Sequence, residues 1–192
     1  IFIYLQTTKP VYSGTLDLKG VSAPVTVYHD DYGVPHIYGS NEEDTYRAFG
    51  YLVAQERLFQ MELLRRVSSG RLSEILGSSM TDVDKFFRML DINAHADSSA
   101  RFFFSSNDQA YQRATLAYLD GINQYIENGP APVEFRLIGI PKEHYTIRDL
   151  FLIVDYMAFN FQMGFRTDHR FTADIAAGID HGVFADHGTA FD

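Results

Sequence analysis

Cysteine is absent from this chain, so no disulfide braces it and no thiolate can act as nucleophile or metal ligand. That absence fits a reducing or an oxidising compartment equally and assigns neither. Positive charge is scarce: 16 Lys and Arg stand against 25 Asp and Glu, a net charge of −9. Binding a nucleic-acid backbone needs clustered Lys and Arg to displace counterions, so this surplus of carboxylates argues against nucleic acid as a partner. Long hydrophobic runs are missing too. Residues 1–5 (IFIYL) are apolar but far too short to span a bilayer; they read as an edge strand or as the stub of a trimmed signal or anchor. No repeat period or low-complexity tract appears.

What is present suffices for a core. With 192 residues, 46% of them apolar and 15% aromatic, the chain can bury a sizeable interior without metals or disulfides. No linker composition divides it, so residues 1–192 are expected to form one structural unit or one piece of a larger one. The first break falls near Ile179, after which the Gly-punctuated residues 179–192 read as an irregular tail.

Val25, Val27 and Tyr28 favour a strand; Asp30, Asp31 and Gly33 supply turn chemistry; Pro35, His36, Ile37 and Tyr38 resume an extended run, giving a hairpin. Ser40 with Glu43 reads as a capping box opening a helix over residues 41–67, where Ala48, Tyr51, Leu52, Leu58 and Phe59 recur at helical spacing. Glu62 and Arg66, four apart, are expected to support its last turns from the surface. Gln55, Glu56 and Arg57 interrupt the apolar face and need partners if buried. Short helices are expected at 73–76, stopped by Gly77, and at 82–90, with a longer amphipathic one over 108–128 ended by Gly129-Pro130. Phe102 to Phe104 are expected to be buried. Thr146 with Asp149 forms a second capping box, and residues 147–161 are apolar nearly all round, which predicts an interior helix.

Three linked blocks carry the strongest signal: Asp30 to Ile37 (DDYGVPHI), Gly50 to Glu62 (GYLVAQERLFQME) and Arg65 to Gly77 (RRVSSGRLSEILG). Together they resemble the penicillin acylase (penicillin amidase) family of N-terminal-nucleophile hydrolases, with likeness extending over roughly residues 16–177. The resemblance implies an α+β fold, an αββα sandwich completed by a second chain, to which this chain contributes mainly helices and a few amino-terminal strands. It also implies a nucleophilic Ser at the amino terminus of a large β subunit released by self-cleavage. This sequence opens on Ile1 and shows no G-x-S-x-G elbow, so the chain is expected to be the small α subunit, with no catalytic residue of its own.

Two sites follow from the resemblance. The helix around Tyr156 to Phe161 would line the acyl pocket, with Met157, Asn160 and Phe161 at the lining positions; read from sequence alone, Met and Phe at this spacing are also ordinary core. Asn160 stands where some penicillin G acylases carry Arg. Asp168, in a place more often held by Glu, would join carboxylates of the partner around a structural Ca²⁺. The compartment implied is periplasmic or secreted. An acyl-homoserine-lactone acylase is a second reading within the class, and a non-catalytic binding or scaffold domain is one outside it.

Other constellations are weaker. His29, Asp30, Asp31 and His36 match no His-based zinc spacing and are accounted for by the turn. His181 and His187 flank an acidic tail. Asp155 reads as a hydrogen-bonded structural carboxylate rather than an active acid. Arg57, Arg65 and Arg66 read as clamps between subunits.

Overall fold

The computed structural model describes residues 12–105 and 109–165; the expectations for residues 1–5, Asp168, the 179–192 tail, His181 and His187 lie outside them. The described chain is mainly helical and opens with two short antiparallel strands, β1 (Thr26–His29) and β2 (Pro35–Tyr38). Seven α-helices follow among these residues: α1 (Glu42–Ser68), α2 (Ser73–Leu76), α3 (Thr81–Met89), α4 (Ile92–Phe103), α5 (Ala110–Asn128), α6 (Val133–Ile138) and α7 (Ile147–Phe165). Contacts group into two compact units, one built from residues up to Glu62 with Ala100–Ile147, the other from Leu63–Ser99 with α7 from Arg148 onward.

In the first unit the hairpin forms as its sequence dictates, with Tyr28 opposite His36. Asp30 makes the turn: its Oδ1 accepts from the backbone N–H of Tyr32 and Val34, both at 2.9 Å, and its Oδ2 meets His36 Nε2 at 3.1 Å. These bonds, led by that from Val34, hold the Asp30 carboxyl below its ordinary pKa. They engage the Asp30 and His36 side chains with each other and with the turn.

Helix α1 begins one residue later than its Ser40–Glu43 signature suggests. Asn41 is the cap, its Oδ1 accepting from the Asp44 N–H at 2.8 Å. Asp44 is 2% exposed and binds the preceding segment, accepting from the backbone of Ser22 and Ala23, from Ser22 Oγ at 2.7 Å and from Asn41 Nδ2. Burial pushes its pKa up, but these donors outweigh burial and hold it down at about 2. Arg47 continues the attachment, reaching Gly20 O at 2.8 Å and Asp120 at 2.7 Å. Gln124 on α5 closes it by exchanging bonds with the Lys19 backbone.

α1 and α5 meet through Gly50 and Gly121. A Cβ on Gly50 would overlap the Tyr118 carbonyl, and one on Gly121 would overlap the Arg47 carbonyl, so the helices cross backbone to backbone. Ala48, Tyr51, Ala54, Leu58, Ile122, Tyr125 and Ile126 are buried in this unit. Each large apolar side chain so buried contributes about 1.5–3 kcal/mol relative to exposure. The helical backbone of α1 breaks at Arg57 (φ −136°, ψ 16°), within the polar triplet that interrupts its apolar face.

In the second unit the Arg65-to-Gly77 block proves to be a knot. Arg66 Nη1 reaches Glu74 at 2.7 Å, and Arg71 grips the same carboxylate with Nε and Nη2, both at 2.9 Å. Hydrogen bonding from Arg71 lowers the Glu74 pKa. Buried Asp84 on α3 accepts from the Leu72 and Ser73 N–H groups and from the Ser73 hydroxyl. Gly70, at φ +66°, lets α3 come close: a Cβ there would lie 2.7 Å from Asp84 O. Its carbonyl accepts from Arg88 Nε at 2.8 Å. Glu62 and Arg66, expected at the surface, are instead buried, 2% and 5% exposed.

Two further expectations are corrected. Of Phe102 to Phe104 only Phe103 is buried, since the run straddles the end of α4, with Phe104 in the turn that follows, and successive side chains point in different directions. α7 is packed on one side only: Phe151, Leu152, Tyr156 and Phe159 join Phe87, Ile92 and Ala96, while Val154, Met157 and Phe161 remain exposed. α4 and α6 have no counterpart among the sequence-based elements, Ile92–Phe103 being dominated by small and polar residues with few apolar anchors.

Candidate functional site

The chemistry assigned to α7 depends on which way its side chains face. At about 100° per residue, Leu152, Tyr156 and Phe159 fall on one side and Val154, Met157 and Phe161 on the other. The inner side is held by rings: Phe87 lies 5.4 Å from Tyr156 and 6.2 Å from Phe159, and Phe86 lies 6.1 Å from Phe159. On the outer side Met157 is 47% exposed and Phe161 62%, one helical turn apart. Core residues would be covered within the chain; among the described residues these stand exposed. Asn160 is also exposed, and its Nδ2 donates back to Tyr156 O at 2.9 Å, so one of its donors is already engaged with the helix. The three sequence-predicted residues thus share one helix and an open, mostly apolar surface.

Polar clasps from α4 hold the same helix. Asp155 Oδ2 meets His95 Nδ1 at 2.8 Å, in keeping with a structural carboxylate. Two turns earlier Arg148 reaches Asp97 with Nε and Asn93 with Nη2, the latter at 2.7 Å. The sequence offered no separate signal for this pairing beyond Asp155 itself, because its partners lie 51 to 60 residues away.

Hydroxyl–carboxylate and imidazole–carboxylate pairs are separate. Ser22 donates to Asp44 and Ser73 to Asp84, whereas His95 pairs with Asp155, so these contacts do not assemble a Ser–His–Asp relay. No group of three or more His, Asp or Glu side chains that could hold a metal occurs among the described residues. Arg65 and Arg66 are buried, and Arg66 is engaged with Glu74. No helix among the described residues is long and apolar enough to cross a membrane.

A cavity of about 310 Å³ opens in the first unit where α1 breaks at Arg57, bordered by Glu56, Leu58, Phe59, Tyr125 and Glu134. Burial raises the Tyr125 pKa to about 12, with smaller contributions from Tyr51 and Glu56, so the phenol stays neutral and donates to Pro130 O at 3.1 Å. None of Met157, Asn160 and Phe161 lines this space.

A mainly helical chain headed by a hairpin, with this fold, has a solved counterpart. It resembles a chain of the thermostable penicillin G acylase from Alcaligenes faecalis with a TM-score of 0.62 and 27% identity, over 88% of this chain and 95% of that one. The chain belongs to the penicillin amidase family, whose model matches residues 24–188. It is 40% identical over 140 residues to the penicillin acylase 2 proenzyme of Pseudomonas sp. (strain SE83), a match covering 72% of this chain and 18% of that protein. It is 31% identical over 157 residues to the acyl-homoserine lactone acylase QuiP of Pseudomonas fluorescens (strain Pf0-1), covering 81% and 19%. Penicillin G acylase of Escherichia coli is 30% identical over 138 residues, covering 69% and 16%. The chain therefore spans under a fifth of the length of these curated relatives.

Proposed function

We propose that this chain is the small subunit of an amide-hydrolysing acylase whose nucleophile, an amino-terminal Ser, belongs to a large β subunit. The observation that carries this reading is a pair of coverages: 95% of a solved penicillin G acylase chain, against 18% of a penicillin acylase proenzyme. A chain equivalent to one whole polypeptide of an assembled enzyme, yet to a small part of a precursor, fits a processed heterodimer. The exposed Val154, Met157 and Phe161 face supports it, since large apolar side chains grouped on a surface mark a place for a partner or ligand.

In this reading the two chains complete an αββα sandwich in a periplasmic or secreted enzyme. The β-subunit Ser attacks the amide carbonyl, its own α-amine taking the hydroxyl proton through water. The C–N bond breaks, the amine leaves with that proton, and water hydrolyses the resulting ester to release the acid. The small chain supplies the acyl contact through Met157 and Phe161, with Asn160 as a neutral neighbour. Asp168 is proposed to share a structural Ca²⁺ with carboxylates of the partner, its carboxylate being a hard oxygen ligand of the kind that cation takes.

The substrate class follows from that wall. Burying an unpaired anion against Met and Phe costs several kcal/mol, whereas each added methylene contributes about 0.8 kcal/mol. Uncharged acyl groups, phenylacetyl or medium-chain, are therefore preferred over acyl groups ending in a carboxylate. The similarity to QuiP favours the acyl-homoserine-lactone acylase as the second reading, in which the same wall holds a linear fatty chain. A kcat/KM series over matched neutral and carboxylated acyl amides, run on the co-expressed heterodimer and on the small chain alone, is the test. Neutral substrates should win, Phe161→Ala should erode the preference, and the small chain alone should be inactive. Turnover by the isolated chain would refute the partner-borne nucleophile, and an unaltered ranking in Phe161→Ala would remove α7 from the pocket.

A further inference from the structure

Helix α7 has to do two things: bury Leu152, Tyr156 and Phe159, and aim Met157 and Phe161. Burial alone secures only the first. Apolar packing is non-directional, so burial by itself does not fix the rotation of α7 about its own axis. A rotation of about 20° about that axis would carry side-chain tips at about 5–6 Å radius through roughly 2 Å. Aim of that quality is too loose for a reacting group, where a misplacement of about 1 Å can cost 10²-fold in rate.

Directional bonds are placed where they would remove the slack. Arg148 and Asp155 are seven residues apart on α7 and so occupy nearly the same angular position, about two turns apart along the axis. Both are tied to α4, Arg148 to Asn93 and Asp97, and Asp155 to His95 at 2.8 Å. Met157 and Phe161 lie roughly 200–240° around the helix from Asp155, on the far side. A lever fixed on one side sets the direction of the other. The Asp155 side chain is 17% exposed, so its bond to His95 is partly shielded from water.

We propose that His95 and Asp155 form a positioning pair which, with the Arg148 clasp, fixes the rotation of α7 and thereby directs the Met157 and Phe161 surface toward the acyl group. The proposal rests on the reading of α7 as the acyl wall. The pair contacts no substrate. It acts through the helix, so its loss alters recognition more than the chemical step.

The experiment uses the assembled two-chain acylase, with neutral acyl amides of increasing chain length and a ¹³C-methyl label on Met157. Asp155→Ala and His95→Ala should each raise KM for the best acyl amide about five- to ten-fold and flatten the chain-length optimum, with kcat held within about two-fold. Asp155→Asn still accepts from Nδ1–H and should stay within about two-fold of the parent. The double variant should be no worse than either single one, because both remove the same bond. His95 is 69% exposed in its side chain, so His95→Ala leaves folding intact if the Asp155 variants assemble poorly. The Met157 methyl resonance should shift or broaden in His95→Ala. Unchanged KM and ranking in both single variants, or additive losses in the double one, would overturn the pair. If the assembled parent cleaves no acyl amide the functional reading fails separately, and an unshifted Met157 signal in His95→Ala would then overturn the pair by itself.

Discussion

Gly50→Ala is the sharpest test of the fold. The added methyl would sit on the Tyr118 carbonyl of α5, 2.8 Å from its carbon and 3.2 Å from Ile122 N. Those are backbone atoms inside a helix, which cannot swing aside as a side-chain tip would. The tightest contact, with the Tyr118 oxygen, reaches an ordinary separation of about 3.4 Å only if α1 and α5 part by about 1.5 Å, loosening Tyr51, Ala54, Tyr125 and Ile126 around them. Overpacking of this kind costs about 3 kcal/mol, and the better helix propensity of Ala returns about 1 kcal/mol, leaving a net loss of about 2 kcal/mol. For a chain of this size that lowers Tm by roughly 4–8 °C. Differential scanning calorimetry measures it directly. Gly121 makes the reciprocal contact, 2.9 Å from Arg47 C and from Tyr51 N, so Gly121→Ala should behave alike. Once the first methyl has parted the helices, the second meets less resistance, and the double variant should fall short of the sum. A Gly50→Ala protein melting within about 1 °C of the parent, or fully additive effects, would refute the backbone-to-backbone crossing.

Asp44→Asn tests the buried hub. A folded pKa of about 2 against an ordinary 3.8 means Asp44 adds stability above the ordinary value that disappears as pH falls through about 2. Denaturant melts should show the variant less stable at pH 7, with the gap to the parent closing below about pH 4; an equal gap at pH 7 and at pH 2 would contradict the hub. On the proposed reading of a Ca²⁺ shared with a partner subunit, Asp168→Ala should lower the calcium content of the assembled enzyme and weaken assembly more than turnover, because a structural cation stabilises the state that binds it. Unchanged calcium by elemental analysis would remove Asp168 from the ligand set.

Local features were readable wherever short-range chemistry decides them. The hairpin follows from β-branched and aromatic residues flanking Asp30 and Gly33, and the stop at Gly77 from a glycine with φ +85° at the end of α2. The family was readable from three blocks of fixed residues. Part of their physical purpose was not, because Leu72 and Ser73 are held by Asp84, which lies outside the blocks. The pairing of Arg66 with Glu74 is made only by the fold, and Asp44, between the blocks, gives no sign that it will hold Ser22 and Ala23. α4 was missed for a related reason: with Ile92 and Ala96 buried and Phe103 at its end, too few apolar residues mark its period, and tertiary contacts rather than pattern support it.

By itself, then, the order of residues determined which segments can be helix or strand, that Met157 and Phe161 share a helix face, and that no thiol chemistry is available. Periodicity reports that two side chains lie on one side of a helix, since that depends only on 3.6 residues per turn. It does not report which side is covered, and the nearly all-apolar composition of α7 pointed to an interior helix. Only the tertiary structure decided that Leu152, Tyr156 and Phe159 face the core while Val154, Met157 and Phe161 stay open. That choice depends on the surfaces offered by Phe87, Ile92 and Ala96, and on where α4 places His95 and Asp97 to grip Asp155 and Arg148. Burial and hydrogen bonding between segments about 50 to 60 residues apart are properties of the folded chain, and no local window contains both partners.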